Sequence, residues 1–326
     1  MKRRDFLTAG TSIGLAGLLG PRLWAQLQAD MATPAGPVPR RALGKTGEQL
    51  SVIGIGAIAL MGGSQAEADR LVAEAIDAGV NYADVAPSYG NGEAEEKLGP
   101  ALKGKRDRLF LACKTARRDR DGAAQELRTS LTRLGTDHFD LYQMHALQDV
   151  QKDVDAALGP GGASEAFREA RTQGLVRFLG FSAHSAEAAL KAIDSDLFDT
   201  ILYPVNFVCH HQGNFDQEVL QRAKAKNMGV LALKAMARAA WPAESQAADR
   251  AYPKCWYEPI SDPAEAALAL RWTLSQGVTA AVPPGDARLF RIALNVAGKD
   301  RALAATEEAA LKQLASQIGP IFRRNA

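Results

Sequence analysis

Eight short apolar runs, separated by longer amphipathic stretches, predict an α/β chain folded as a (β/α)8 TIM barrel. Two further observations favour a closed barrel. Gly79, Gly135, Gly174, Gly229 and Gly277 stand where the intervening helices would stop and release the chain into a strand. Eight units also fill the chain from residue 40 onward, at the usual length for this architecture. The rival, a doubly wound open sheet, calls for a glycine-rich turn after the first strand. Gly54-Ile55-Gly56 starts one, but Ala59 occupies the third glycine position. The 326 residues are 47% hydrophobic and 23% charged, a composition that gives a large core and excludes a disordered or fibrous chain.

In chain order, the first segment reads as an address. Lys2-Arg3-Arg4-Asp5-Phe6-Leu7 precedes a short Gly/Ala-rich apolar stretch from Thr8 to Leu19, with small residues at Ala25 and Ala29. Basic start, apolar middle and small exit residues are the parts of a secretory signal. The Arg3-Arg4 pair resembles a twin-arginine signal, so residues 1–29 are expected to take the chain to the periplasm through transient contact with that export machinery. The middle is too short for stable membrane insertion. Net charge is +2 for the whole chain, and residues 1–25 carry +3 of it, so nothing suggests a nucleic-acid surface. Residues 30–39, with three prolines, read as an extended linker before a barrel domain over 40–326.

The Gly-Lys-Thr-Gly at the middle of Ala42–Leu50 predicts an N-terminal β-hairpin. The eight strand-like runs are Ser51–Ile58, Val80–Asp84, Leu109–Lys114, Phe139–His145, Val176–Ser182, Thr200–Tyr203, Gly229–Lys234 and Val278–Val282. Helices are predicted over Ala66–Ala78, Ala123–Leu134, Ser164–Gln173, Ala186–Ile193, Gln217–Lys226 and Ala264–Ser275. A long irregular insert, Ala237–Asp262, follows the seventh strand and is expected to lie over the barrel mouth, with Cys255-Trp256-Tyr257 walling a pocket.

Functional residues of such a barrel belong at the carboxyl ends of its strands. Three adjacent runs end on an ionisable residue, namely Asp84, Lys114 and His145, and Tyr89 follows Asp84 in a Pro-Ser-Tyr-Gly-Asn-Gly loop. Each has a bland reading alone: a helix cap, a surface lysine, a rim histidine, loop packing. Their co-occurrence on neighbouring units points to one site.

The stretch Gly79–Gly99, with its G-x-N-x-x-D-x-A-x-x-Y-G pattern, resembles the aldo/keto reductases, with Val85 in place of the family's usual Thr. The resemblance continues through Ala112-Cys113-Lys114, Asp140–His145 and Gly180-Phe181-Ser182. It implies reduction of an aldehyde or ketone, sugars included, by hydride from a nicotinamide dinucleotide, with Asp84, Tyr89, Lys114 and His145 as the catalytic tetrad. Tyr89 would be general acid/base, with the Lys114 ammonium lowering the phenol's pKa and Asp84 holding that ammonium. His145 would orient the substrate oxygen. The partner is then a small-molecule carbonyl or alcohol.

The cofactor site departs from the family pattern. Ser182 matches the family's Ser-Asn pair, but Ala183 replaces the Asn and Leu202 the usual Gln; Asn206 aligns with a family Asn, and His184 is a substitute amide contact. Lys234 stands where an aromatic often stacks on the nicotinamide. Gly285, Arg291 and Asn295 keep the family's spacing at the phosphate and adenine end, and Arg291 favours NADP over NAD, because its planar fork suits a 2′-phosphate. Asp286 opposes that preference by its charge. An exported reductase meets little free NADPH, so the cofactor is expected to travel tightly bound. The alternative is a redox-inactive barrel that senses a nucleotide or binds a ligand.

Cys209-His210-His211 lacks a second Cys/His cluster, so no metal site is predicted and the three are read as pocket lining. A Cys209–Cys255 disulfide stays open for an oxidising compartment.

Overall fold

The computed structural model describes residues 14–299 and 301–324. The chain begins with α1 (Leu15–Leu19) and α2 (Pro21–Ala32), followed by the hairpin β1 (Arg40–Ala42) and β2 (Gln49–Ser51). The first barrel units are β3 (Ile55–Gly56), α3 (Gln65–Asp77), β4 (Tyr82–Asp84), α4 (Glu93–Ala101), β5 (Phe110–Thr115) and α5 (Arg120–Leu134). The central ones are β6 (Phe139–Leu147), α6 (Ala156–Leu158), α7 (Ala163–Thr172), β7 (Val176–Ala183), α8 (Ala186–Asp194), β8 (Thr200–Pro204), α9 (Phe207–Gly213) and α10 (Gln217–Ala225). The last are β9 (Gly229–Leu233), β10 (Ala237–Ala240), β11 (Tyr257–Pro259), α11 (Pro263–Ser275), β12 (Ala280–Ala281), α12 (Ala287–Ala297) and α13 (Ala305–Ala315).

Eight parallel strands form one sheet, in the order β12-β9-β8-β7-β6-β5-β4-β3. A parallel bridge between Ile53 and Ala281 joins its two edges, with the Ala281 amide donating to the Val52 carbonyl at 2.9 Å. The predicted (β/α)8 TIM barrel is therefore the observed fold, and every predicted strand falls on a barrel strand. The first and last shrink to two residues each, the span over which they pair with β4 and β9.

Helix starts follow their caps. Ser64 and Glu67 form a reciprocal capping box on α3, Asp119 caps α5, and Asp262 caps α11 with Pro263 in the first turn. The helix α4 escaped the sequence reading because it starts on a glycine and contains Gly99-Pro100, two breakers. The insert is less irregular than expected, since β10 and β11 pair antiparallel across it.

Two apolar layers hold the barrel. The outer one lies between sheet and helices; the inner one comprises Leu43, Leu50, Tyr82, Phe110, Ala112, Leu141, Leu202, Leu231, Ala280 and Val282. Leu43 and Leu50 belong to the hairpin, so the predicted N-terminal hairpin closes the bottom of the barrel with two fully buried leucines. Strand period two then decides what reaches the top. Above Tyr82 comes Asp84, above Phe110 and Ala112 comes Lys114, and above Leu141 come Gln143 and His145.

Of the expected export signal, residues 1–13, with the Arg3-Arg4 pair, lie outside the described residues. The described remainder is helical: α1 packs on α13 and α2 on α11, burying Leu15 and Leu27. The linker expected from residue 30 starts at Thr33, after α2 ends. No described helix is long and apolar enough to cross a membrane.

Candidate active site

The strand ends of β4, β5 and β6 meet at the mouth. Buried Lys114 Nζ donates to Asp84 Oδ1 in a close ion pair, to the Val85 carbonyl at 3.1 Å and to the Tyr89 hydroxyl oxygen at 3.1 Å. Tyr89 sits on a single turn after β4, where Gly90 and Gly92 take left-handed φ of 62° and 102° that most side chains would strain. This kinked turn points the phenol back at the lysine. The His145 and Tyr89 rings meet edge to face at 5.7 Å, and His145 Nδ1 lies 3.4 Å from Ser88 Oγ. The four residues predicted to converge do so.

Two further residues hold Asp84, and sequence reading passed over both. Tyr82 Oη donates to Asp84 Oδ2 at 3.3 Å and Gln143 Nε2 donates to the same oxygen at 3.2 Å. Period two was the available signal: Tyr82 is two residues before Asp84, and Gln143 two before His145. Gly180 makes room beside them, since a Cβ there would fall 2.4 Å from Thr200 Oγ1 and 3.2 Å from Gln143 Cγ.

Charge balance differs in part from expectation. Burial pulls Lys114 down, but Asp84 and the phenol more than restore it, and the ammonium is held above its ordinary range. Lys114 also pulls the Tyr89 phenol down, as expected. Burial outweighs that pull, so the phenol titrates above its ordinary value and stays protonated at neutral pH. Burial, then the nearby Lys114 charge, lowers His145 to about 3, so its imidazole is neutral.

These groups open on a cavity of ≈ 200 Å³ at the mouth. The expected cofactor residues Ser182, Lys234 and Gly285 line it, as do His184, Leu202 and the insert residues Lys254, Cys255, Trp256 and Tyr257. The insert thus covers the mouth as predicted. Ser182 Oγ accepts from the Ala146 amide at 2.7 Å and so fixes the chain just after His145. Gly285 lies so close to the first strand's loop that a Cβ would approach Ile58 Cγ2 to 2.2 Å. Asn206 does not face the cavity. Its amide spans the Lys234 carbonyl at 3.0 Å and the Ala237 carbonyl at 2.8 Å, and its oxygen caps α9.

A second cleft, of ≈ 430 Å³, adjoins the first and shares Lys254 with it. Arg70, Arg288 and Arg291 line this cleft beside Asp286, which caps α12. Arg291 is in a forked ion pair with Glu74, with contacts of 2.9 to 3.0 Å. Asn295 lies outside both cavities. Its amide donates to the Met31 carbonyl at 3.3 Å and the Thr33 carbonyl at 3.4 Å, while its buried Oδ1 has no partner. Lys254 donates to the Ala59 and Met61 carbonyls, which ties the insert to the first strand's loop. Sequence reading missed Arg70, Arg288 and Lys254, which lie far apart along the chain.

Cys209, His210 and His211 do not line the mouth cavity as expected; both imidazole rings pack on Trp272 of α11, in the outer layer, and His210 pairs with Asp216 at 2.9 Å and borders a separate cleft beside Ala42 and Gly44. Among the described residues no group of three potential ligands converges on a metal position. Cys113, Cys209 and Cys255 are free and buried.

A nicotinamide dinucleotide suits this donor set. The two adjacent cavities share Lys254, the second is lined by Arg70, Arg288 and Arg291, whose charge favours phosphate, and the buried His184 Nε2 of the first has no hydrogen-bond partner among the described residues.

Comparison with known proteins gives the family. The model of the aldo/keto reductase family matches residues 52–313. An uncharacterised oxidoreductase, YqkF, of Bacillus subtilis is 33% identical over 156 residues, 44% of this chain and 48% of that one. A 6-dehydroglucose reductase of Novosphingobium aromaticivorans is 30% identical over 207 residues, 56% of this chain and 66% of that one. The chain spans about half the length of the first of these relatives. Among solved structures, the holo form of the aldo-keto reductase AKR11C1 from Bacillus halodurans has the same fold, with a TM-score of 0.68 at 23% identity over 88% of this chain and 100% of that one. With the barrel, the converging strand ends and a family match over most of its length, the chain belongs to the aldo/keto reductase family.

Proposed function

We propose that this chain is an NAD(P)-dependent oxidoreductase that reduces a carbonyl to an alcohol, with Tyr89 as the general acid. One observation carries the reading: the buried Lys114 ammonium, paired with Asp84, lies 3.1 Å from the Tyr89 hydroxyl at the edge of a ligand-sized cavity. The dinucleotide, when bound, supplies the hydride; the chain's own residues place the proton. As negative charge grows on the carbonyl oxygen, the Tyr89 hydroxyl donates to it, and the ammonium stabilises the phenolate left behind. Asp84 keeps the ammonium charged and in place, and Tyr82 and Gln143 keep Asp84 in place. Neutral His145 offers a hydrogen bond to the same oxygen without competing for the proton. A phenol held protonated at neutral pH favours the reductive direction.

Ser182 and Lys234 would receive the nicotinamide end, Gly285 the phosphates, and Arg291, with Asn295 beyond it, the adenosine end. The cationic cleft supports NADP over NAD. A 6-dehydroglucose reductase and an L-galactose dehydrogenase among the relatives bring sugars into the substrate panel. The test is NADPH absorbance with aldehydes, ketones and sugars. Turnover in the native chain and its loss in Tyr89→Phe support the reading. Nucleotide binding without any turnover would return the ligand-binding alternative.

We also propose export by the twin-arginine route with the nucleotide already bound. Cell fractionation of the native chain and of the Arg3→Lys, Arg4→Lys variant tests it: equal distribution of the two overturns it, and nucleotide in the exported protein supports it.

A further inference from the structure

The His145 ring has few contacts of its own. Among the described residues, its one side-chain hydrogen-bond contact is Ser88 Oγ, 3.4 Å from Nδ1, and the Tyr89 ring meets it edge to face at 5.7 Å. A histidine ring is usually aimed by a carboxylate or carbonyl on its second nitrogen. Here the aim is left to the backbone, and the backbone is unusual. Ala146 takes a left-handed φ of 54°, and β6 and β7 shift register between Met144 and Leu147. A left-handed alanine is disfavoured by its own Cβ and persists where neighbours hold it. Both ends of the peptide joining His145 to Ala146 are held. The Ala146 amide donates to Ser182 Oγ at 2.7 Å, and Arg118 Nη2 donates to the His145 carbonyl at 2.7 Å. Arg118 is itself fixed. Its Nε donates to Asp153 Oδ1 at 2.9 Å, and the other Asp153 oxygen accepts from the Gln148 and Asp149 amides at 2.8 and 2.9 Å. Arg118 lines neither the mouth cavity nor the cleft beside it.

Resting on the reductase reading, we infer that Arg118 is a positioning residue for the reaction: through the His145 carbonyl it fixes the peptide that aims the imidazole toward Tyr89. The guanidinium suits this task because its planar fork meets the Asp153 carboxylate with one nitrogen and the carbonyl with another. A lysine ammonium, a single point on a flexible stem, lacks that built-in geometry. Without Arg118, Ser182 would hold only the amide end and the carbonyl would be free to swing. The clamp also ties two strand ends together. Arg118 lies four residues after Lys114, in the loop that leaves β5, so one short segment carries the ammonium and sets the imidazole on the next strand. Asp153 lies on the turn Val150–Asp155 that follows β6, which closes the connection from the far side.

The experiment is a double-mutant cycle on the reduction of 4-nitrobenzaldehyde, an activated neutral aldehyde, by NADPH. Arg118→Met should lower kcat about ten- to a hundredfold, the cost of a misplaced group, and leave the NADPH dissociation constant close to native. In the His145→Ala background the same change should cost nothing further, because the group that Arg118 aims is gone. Losses that multiply overturn the inference, and so does an unchanged kcat in Arg118→Met. Where Arg118→Met does not fold, Arg118→Lys carries the same cycle with a smaller fall. A second arm needs no turnover: NMR of protein labelled with isotopic nitrogen at histidine. The His145 ring signals, assigned by their loss in His145→Ala, should move in Arg118→Met, while those of His210 and His211, packed on Trp272, stay in place. Unmoved His145 signals overturn the inference. Movement of all three reports a general disturbance of the barrel and overturns it too. If no carbonyl is reduced, this arm decides alone: a shift confined to His145 keeps Arg118 as the residue that aims the ring, while the reductase reading falls.

Discussion

At the catalytic end of the mouth, the polar groups are satisfied by neighbouring barrel strands. Lys114 on β5 is met by Asp84 on β4, and Gln143 on β6 braces that carboxylate. At the opposite end, beside α12, the partners come from the outer layer: Arg291 turns to Glu74 on α3, and Asn295 to the carbonyls at the end of α2. The first cluster is fixed by the register of parallel strands, which leaves little room for alternatives. The second sits among exposed helices and loops, where a charge pairs with whatever is near and the pairing is worth little. On the proposed function, chemistry is thus built into the rigid part of the barrel, and cofactor preference into its adjustable rim.

The sharpest way to break this contrast is Tyr89→Phe. A general acid contributes about 10²–10⁴ in rate, so kcat should fall by that factor while nucleotide affinity, measured by fluorescence titration, stays close to native. Next comes Lys114→Met, which strands a buried carboxylate. Thermal or denaturant unfolding should register a loss of about 3–5 kcal/mol, and adding Asp84→Asn should recover part of it. Recovery identifies the unpaired charge, rather than lost packing, as the cause.

The pH profile tests the two histidines of the mouth. His145 and His184 are both lowered to about 3, first by burial, so kcat/KM for a carbonyl substrate should show no break near 6.5. The smallest effect belongs to the rim. Glu74→Gln frees Arg291 from an exposed pair worth about 0–1 kcal/mol, so NADPH should bind no more than about fivefold tighter, with NADH unaffected. A larger change would mean that the rim is as constrained as the strands.

Asp84, Lys114 and His145 were legible because they sit at the ends of apolar runs, where an ionisable side chain stands out, and Tyr89 because it follows Asp84 in a glycine-rich loop. Tyr82 and Gln143 were not, because an inward phenol or amide one step lower looks like ordinary core until the carboxylate above it is located. The residues expected at the cofactor were legible by position only. Ser182 proved to brace the chain after His145, and Asn295 to meet the end of α2. The helices over residues 15–32 went unread as structure, because Gly/Ala-rich apolar sequence serves equally as a transport signal and as a helix that packs on α11 and α13.

By itself the sequence determined the barrel, the N-terminal hairpin and the four residues at the mouth. Those depend on periodicity and on residues at strand ends, both of which are local. Only the tertiary structure decided whether the phenol's burial or its ammonium prevails, which arginines share a cleft, and where Asn206 and Asn295 turn their amides. These are sums over neighbours distant along the chain, and no spacing in a single sequence records them.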